Sequence, residues 1–443
     1  MNSNNRSRKK SSSHLKNNSS NKVSRKRKRK NKRLNYKRIF LFLVIVFLII
    51  YLISLGISKL SSKNKSTDVS ATSSEAEKPK DITVNVVSLG DIMCHSSNFQ
   101  DAYNKETDSY DFSYVFTDIK NYIQNADLAV GNLETTFAGK EAIYSGYPNF
   151  NTPEILAKNL KDLGIDVVST ANNHSLDKRY SGLVSTLDEL DKVGISHTGT
   201  YRSLDEQNTI TTKNVNGITF AFLSFTYGTN GIPVPSGKEY CINLIDENLI
   251  QDQIAKAKEL NPDVLCVCMH WGEEYHLKQN STQEKLADFL FKNGVDIIFG
   301  NHPHVLQPME KRSITLEDGT TKDGFVIYSH GNFMSGQVAE NTTNSIILQL
   351  QITKHTNGTI TIDSYNYIPT FMYHEGSGQN INYKIIDINK SIKDYENGNS
   401  KISENLYNTL LNAKKKIDSI LKEEPKSGSS SILVYFSLLF LSC

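Results

Sequence analysis

The 443-residue chain predicts an α/β body, its sheet core inside and its helices outside, with antiparallel strands added late in the sequence. Three observations predict this. From Asp81 onward, short apolar runs rich in Val and Ile alternate with segments of helical period. Beyond "VDIIF" (295–299) the helical segments give way to strands joined by turn signals. The apolar runs also end, one after another, in Asp, Glu, Asn or His.

The segments ahead of the body are legible by charge and hydropathy. Residues 1–38 carry sixteen Lys or Arg and no Asp or Glu, so of 50 basic and 47 acidic residues the remainder holds 34 and 47. A basic run of this kind can bind nucleic acid, but the next segment argues against that partner. "IFLFLVIVFLIIYLISLGIS" (39–58) is uncharged, apolar and about the ~20 residues needed to span a bilayer. Basic residues crowd its N-terminal flank, which places that flank in the cytoplasm and the body outside. A cleaved signal peptide would have a shorter apolar region and a small-residue cleavage site. The reading is therefore a single-pass anchor in the cell membrane with an extracellular body, the tail also touching anionic lipid. Residues 59–80, rich in Ser, Lys and Thr, have almost nothing to bury and read as a flexible stalk.

The body, 81–385, opens with the strand "ITVNVVSLG", the amphipathic helix "YVFTDIKNYIQNA" and the strand "DLAVGNL". In "TPEILAKNLKDLG" Thr152 is placed as N-cap, Pro153 at the first helical position and Gly164 as the stop. "IDVVST", "SGLVSTLDELDKVG" and "ISHTG" continue the alternation, and "TTKNVNGITFAFLSF" folds back about Asn216-Gly217 as a hairpin. Two further helix–strand pairs follow, "ENLIQDQIAKAKEL" with "DVLCVCM" and "TQEKLADFLFKNG" with "VDIIF". "FVIYS", "SIILQLQITKH" and "TITIDSYNYI" are the late strands. Residues 386–443 read as a helical extension, a charged helix over 403–424 followed by the short apolar end "SILVYFSLLFLSC".

Five cysteines are too few and too unevenly placed for a disulfide framework. Cys266, Cys268 and His270 share the parity of one strand face, which would suit a metal site. Cysteine in an apolar strand is more often core, and both are assigned there.

The strand ends carry the chemistry. "VVSLG" runs into Asp91, "LAVGN" into Glu134, and "DVVSTAN" into Asn173, His174 and Asp177. "VLCVCM" runs into His270, "DIIFG" into Asn301, His302 and His304, and "FVIYS" into His330 and Asn332. Each cluster alone is ordinary turn or cap chemistry. Six at six strand ends are not, because open α/β sheets place ligand sites beyond the carboxyl ends of their strands. His, Asp, Glu and Asn are the donors expected around Zn, Mn, Fe or Mg rather than around a nucleophilic Ser or Cys.

These residues give the chain its resemblance to the bacterial capsule synthesis protein CapA family, the poly-gamma-glutamate synthesis group with a metallophosphoesterase-like fold. It is carried by "GDIM" (90–93), "GNLET" (131–135), "ANNHSLD" (171–177), "HWGEEY" (270–275), "GNHPHVLQPME" (300–310) and "YSHGNF" (328–333), in the family's order. The resemblance implies a four-layer α/β/β/α sandwich with a centre of two divalent metal ions (Mn, Fe or Zn). It implies Asp91, Glu134, Asn173, His270, His302 and His304 as metal ligands, with Glu134 bridging. His174 would stand beside the leaving group, oriented by Asp177. Two positions depart from the familiar phosphoesterases. Their first motif is Asp-x-His, whereas Asp91 is followed by Ile92 and Met93, and their second carries Asp where Glu134 stands. His95 and His330 have no assigned role.

The implied function is capsule or poly-gamma-glutamate biosynthesis or export. The implied partners are that polymer or another anionic envelope polymer, subunits of a membrane synthesis complex, and the membrane itself. The alternative is an active metal-dependent phosphoesterase or other hydrolase acting on envelope polymer. The topology is directly testable: protease added to intact protoplasts should release the body from about residue 81 onward, and a body that stays protected would reverse the assigned orientation.

Overall fold

The structure, a computed structural model, describes residues 80–316, 319–376, 381–399 and 401–422. The predicted anchor and basic tail, nearly all of the stalk and the apolar end lie outside the described residues. Among the described residues no helix is long and apolar enough to cross a membrane.

In chain order the strands are β1 (Ile82–Ile92), β2 (Leu128–Leu133), β3 (Val167–Ser169), β4 (Ser196–Thr198), β5 (Thr211–Val215), β6 (Ile218–Thr226) and β7 (Val264–His270). They continue as β8 (Ile297–Asn301), β9 (Met309–Thr315), β10 (Thr321–Ile327), β11 (Asn332–Met334), β12 (Asn344–Lys354), β13 (Ile360–Glu375) and β14 (Asn382–Asp387). The main helices are α1 (Ile155–Leu163), α2 (Arg179–Val193), α3 (Glu247–Glu259), α4 (Ser281–Lys292), α5 (Ile388–Glu396) and α6 (Glu404–Leu421). One sheet has the order β14-β13-β12-β1-β2-β3-β4, with β11 also paired to β1; the other runs β9-β10-β8-β7-β6-β5. Early strands pair in parallel and late ones antiparallel, as the change of sequence texture predicts.

Strand alternation builds the layers. Val84, Val86 and Val130 of the first sheet face Phe220, Cys266, Cys268 and Phe299 of the second in one buried core between the sheets. The opposite parity faces the helices: Val168 packs with Leu156, Leu160, Leu183 and Leu187, and Val267 and Ile298 pack with Ile250, Ile254, Leu286 and Leu290. The layers therefore run helix, sheet, sheet, helix. Each such aliphatic side chain contributes about 1.5–3 kcal/mol by leaving water. Cys266 and Cys268 are free and buried, in the core as assigned.

A repeated device fixes the register of the parallel strands. An aspartate precedes β2, β3, β7 and β8, in "ADLAV", "IDVVS", "PDVLC" and "VDIIF". The main-chain N–H groups of Asp127, Asp166, Asp263 and Asp296 donate to the carbonyls of Asn85, Ala129, Thr219 and Leu265 on the preceding strand, at 2.8–3.0 Å. The N–H groups of those same four residues donate back to the aspartate carboxylates at 2.8, 3.1, 2.8 and 2.7 Å. Each pair forms a two-bond clasp at the end of the sheet remote from the polar clusters.

Three local expectations differ from what forms. The segment after Phe112 is a 3-10 turn (Ser113–Phe116) and a short helix (Lys120–Gln124), not one helix. The Thr117 hydroxyl bonds the Tyr114 carbonyl at 2.8 Å, a local bond that competes with the helical ladder. Thr152 does not cap α1, whose N-cap is Glu154, because its hydroxyl bonds the Thr135 hydroxyl at 2.6 Å instead. Residues 388–421, read as an extension, place Ile388, Leu410, Ala413, Ile417 and Ile420 in the core between the sheets. The hairpin about Asn216-Gly217 forms with both residues at positive φ (53° and 97°), the type I′ requirement.

Asp296→Ala removes one clasp bond and the partner of Lys322, which lies 2.6 Å away. Bonds to charged groups contribute about 1.5–3 kcal/mol, so the denaturation midpoint should fall by that equivalent with an unchanged m-value. A midpoint within error of the parent would show the clasps to be idle.

Candidate metal centre

The strand ends converge because the ladders align them. Asp91 pairs across with Asn132 and Asn332, and Asn301 with His270. Two glycines permit the crowding there. A Cβ on Gly90 would stand 1.9 Å from the Gly331 carbonyl oxygen, and one on Gly300 2.1 Å from that of Tyr328. Beyond β8, His302 and His304 both hold positive φ (99° and 58°) on either side of Pro303. Such backbone costs a non-glycine residue about 1–3 kcal/mol and persists where surroundings dictate it. Here the His302 N–H donates to Asp91 Oδ2 at 3.4 Å, and the Pro303 carbonyl accepts from the Tyr275 N–H at 2.8 Å.

Asp91 and Glu134 are wholly buried. Asp91 Oδ1 accepts from the Asn132 amide at 2.8 Å, and its Oδ2 lies 3.1 Å from His304 Nδ1. Glu134 Oε1 lies 3.5 Å from His270 Nε2 and has no hydrogen bond of its own. His270 Nε2 is 2.9 Å from Asn173 Oδ1, so that nitrogen carries the proton, while Nδ1 faces the Asn132 amide at 3.4 Å. The His302 ring lies 4.8 Å from that of His270 and 5.9 Å from that of His304, and its Nδ1 is buried without a partner. The structure thus brings all six predicted ligand positions to one place.

Burial opposes charge on every one of these groups, and neighbours decide the outcome. Burial alone would raise the Asp91 carboxyl, but the bond and charge of His304, with His270 and Asn132 behind, hold it at about 2. Burial and the Asp91 charge push Glu134 well up. Burial would lower His304, but Glu134 and Asp91 hold it up at about 9. His270 is pushed down to about 3 and His302 well down, by burial and by neighbouring imidazoles.

Beside this cluster, His174 Nδ1 donates to Asp177 Oδ2 at 2.7 Å, and the same oxygen accepts the Phe150 N–H at 2.6 Å. The Phe150 ring meets His174 edge-on at 4.7 Å. His174 is thereby held in one tautomer, with Nε2 facing the Asn230 amide at 3.4 Å. His95 sits at the start of the helix Ser96–Asp101, where its Nδ1 accepts from the Gly336 N–H at 3.1 Å. His330 is fully partnered: Nδ1 donates to the Gly300 carbonyl and Nε2 accepts from Ser88, each at 2.9 Å, joining the two sheets.

Sequence reasoning missed Asn132 and Asn230. The Asn132 amide touches Asp91, Glu134 and His270 at 2.8, 3.4 and 3.4 Å, and its carbonyl accepts from Ser169 at 2.7 Å. Its signal was available, since Asn132 and Glu134 are two apart in "GNLET" and so share a face. Asn230 bonds Asn173 at 3.1 Å and His174 Nε2 at 3.4 Å. Nothing in "YGTNG" marks it.

Two overlapping groups, Asp91 with Glu134 and His270, and Glu134 with His302 and His304, have ligand atoms within 4.8 Å of one another and could hold metal ions. The residues fit such an ion chemically. Carboxylate and imidazole donors suit Mn, Fe and Zn, and the unpartnered Glu134 Oε1 and His302 Nδ1 are buried acceptors that each cost about 1–3 kcal/mol unless something meets them. Changing His302 and His304 together to Ala should lower bound Mn, Fe or Zn in the purified protein while its circular dichroism is retained. Unchanged metal content would make both plain loop residues.

The sequence profile described as "Bacterial capsule synthesis protein PGA_cap" matches residues 85–337. "Capsule biosynthesis protein CapA" of Bacillus anthracis is 30% identical over 282 residues, 62% of this chain and 65% of that protein's length. "PGA biosynthesis protein CapA" of Bacillus subtilis (strain 168) is 30% identical over 299 residues, 64% and 73% of the two chains. Among solved structures, the chain is similar to Haemophilus influenzae NAD nucleotidase, with TM-score 0.41, 13% identity and coverage of 77% and 61%. It is also similar to a putative 5'-nucleotidase from Staphylococcus aureus, with TM-score 0.41, 14% identity and coverage of 64% and 54%. Both scores are too low to define the fold. The profile, running from Asn85 of β1 to the loop beyond β11, and the two relatives together show that the chain belongs to the bacterial capsule synthesis protein PGA_cap family.

Proposed function

We propose that the chain works in capsule polymer biosynthesis, poly-gamma-glutamate being the polymer, as a membrane-anchored protein with its body outside the cell. Its centre would perform metal-dependent hydrolysis, of a phosphoester or another bond beside an oxyanion. One observation carries this reading: two buried donor groups share Glu134 and lie beside a hydrogen-bonded His174–Asp177 pair. Asp91, Glu134 and His270 would hold one ion, and Glu134, His302 and His304 a second, with Asn173 adding an amide oxygen. Bound divalent ions supply Lewis acidity and an ionised water at neutral pH. The chain's own part is separate. Asp177 keeps the proton of His174 on Nδ1, so Nε2 is the atom that exchanges a proton with the departing oxygen.

A specific observation favours a second reading, in which the body holds anionic polymer and subunits of a membrane synthesis complex without turnover. Met93 stands where the phosphoesterase motif has His. It is buried, and its N–H donates to the Met334 carbonyl at 2.8 Å. One ion would then have a ligand fewer.

The two readings separate on His174. His174→Ala should keep full metal content, lose about 10²–10⁴-fold of any hydrolytic rate, and abolish polymer at the cell surface. Asn173→Ala should lower metal content and rate together. A His174→Ala strain with normal polymer, protein level and metal would establish the holding role instead.

A further inference from the structure

Two half-exposed tyrosines stand at the mouth of the centre, and core packing accounts for neither. Tyr227 follows β6. Its N–H donates to the His270 carbonyl at 3.1 Å, and its ring lies 4.5 Å from His302 and, nearly parallel, 6.3 Å from His270. Tyr275 is tied to the Pro303 carbonyl at 2.8 Å, and its ring lies 6.1 Å from His304. It holds a positive φ of 66°, an outlier for a bulky residue. Their exposures are 48% and 50%, so each ring has one part against a candidate ligand imidazole and the rest in water. Each is bolted by its own main chain to a segment that carries such an imidazole.

Half-exposed aromatic rings set against buried imidazoles offer apolar faces on which an uncharged ring can pack.

We infer that the mouth selects a small ligand presenting one phosphate to the centre and an uncharged ring to Tyr227 and Tyr275. The class is a ring phosphate, either a nucleotide or a glycosyl phosphate. This rests on the metal-centre reading above and narrows its substrate. Tyr227 and Tyr275 are specificity residues in it, touching the ring and not the reacting bond.

The test is calorimetric, on the full chain in detergent loaded with Mn²⁺. The probes are inorganic phosphate, adenosine 5'-monophosphate, glucose 1-phosphate and a short poly-gamma-glutamate. At least one ring phosphate should bind about tenfold or more tighter than inorganic phosphate, the scale of one aromatic stack. The nucleotide and sugar arms identify the source of the ring. Tyr227→Ala and Tyr275→Ala should each reduce that advantage while leaving inorganic phosphate unchanged, and Tyr→Phe at either position should retain most of it. Polyglutamate, which has no ring to pack on the tyrosines, should bind more weakly than the ring phosphate. Equal affinity for inorganic and ring phosphates, an advantage that survives both Ala variants, or tightest binding by polyglutamate would each overturn the inference and leave the centre standing. Metal-loaded protein that binds none of the phosphates would sink the centre reading, and the inference with it.

Discussion

A carboxylate with no access to water governs the arrangement around it. Asp91 ends the central strand of the larger sheet, and a buried charge of that kind is tolerated only when it is paired and fully hydrogen-bonded. Its partners come from both sheets. Asn132 belongs to the neighbouring strand, whereas His302 and His304 arrive from the loop beyond β8 of the other sheet. Satisfying Asp91 therefore requires the two sheets to meet in one relative position. His330, strung between Ser88 and Gly300, holds them there from beneath. The positive φ values at His302 and His304 follow from the same demand, since an N–H and an imidazole must both reach one carboxylate across a proline.

Polar clusters at six strand ends were legible from sequence because strands have a period of two and helices pack behind them, so whatever follows an apolar run lies at the sheet's edge. The predicted ligand positions meet for that reason. What sequence did not reveal depends on contacts between distant segments. Asn230 reaches Asn173 and His174 across more than fifty positions, from a turn whose composition marks only a turn. Thr152 has the right chemistry for a cap, but a nearer hydroxyl takes it. The helix over residues 404–421 was visible as a helix, yet its place in the core between the sheets depends on how much of β12 and β13 the smaller sheet leaves uncovered.

Charge within the cluster is shared unevenly. Asp91 and His304 support one another's ionised forms, whereas Glu134, equally buried, has its partner's charge against it. A divalent cation beside Glu134 would reverse that sign, so the same carboxylate that is least comfortable among protein groups alone is the one best served by an ion.

The aspartate clasps bear on these side chains from the far end of the sheet. β3 is only three residues long, so its ladder has little with which to resist sliding. A slide of two residues would keep the same side chains facing the core, and the hydrophobic pattern could not reject it. It would nevertheless carry Asn173 and His174 about 6.6 Å along the strand axis, roughly two strand residues, and out of reach of His270. Asp166, bonded twice to Ala129, makes that shifted alignment lose both bonds at once. A residue at the far end of the sheet from the cluster thus sets where the His174–Asp177 pair stands.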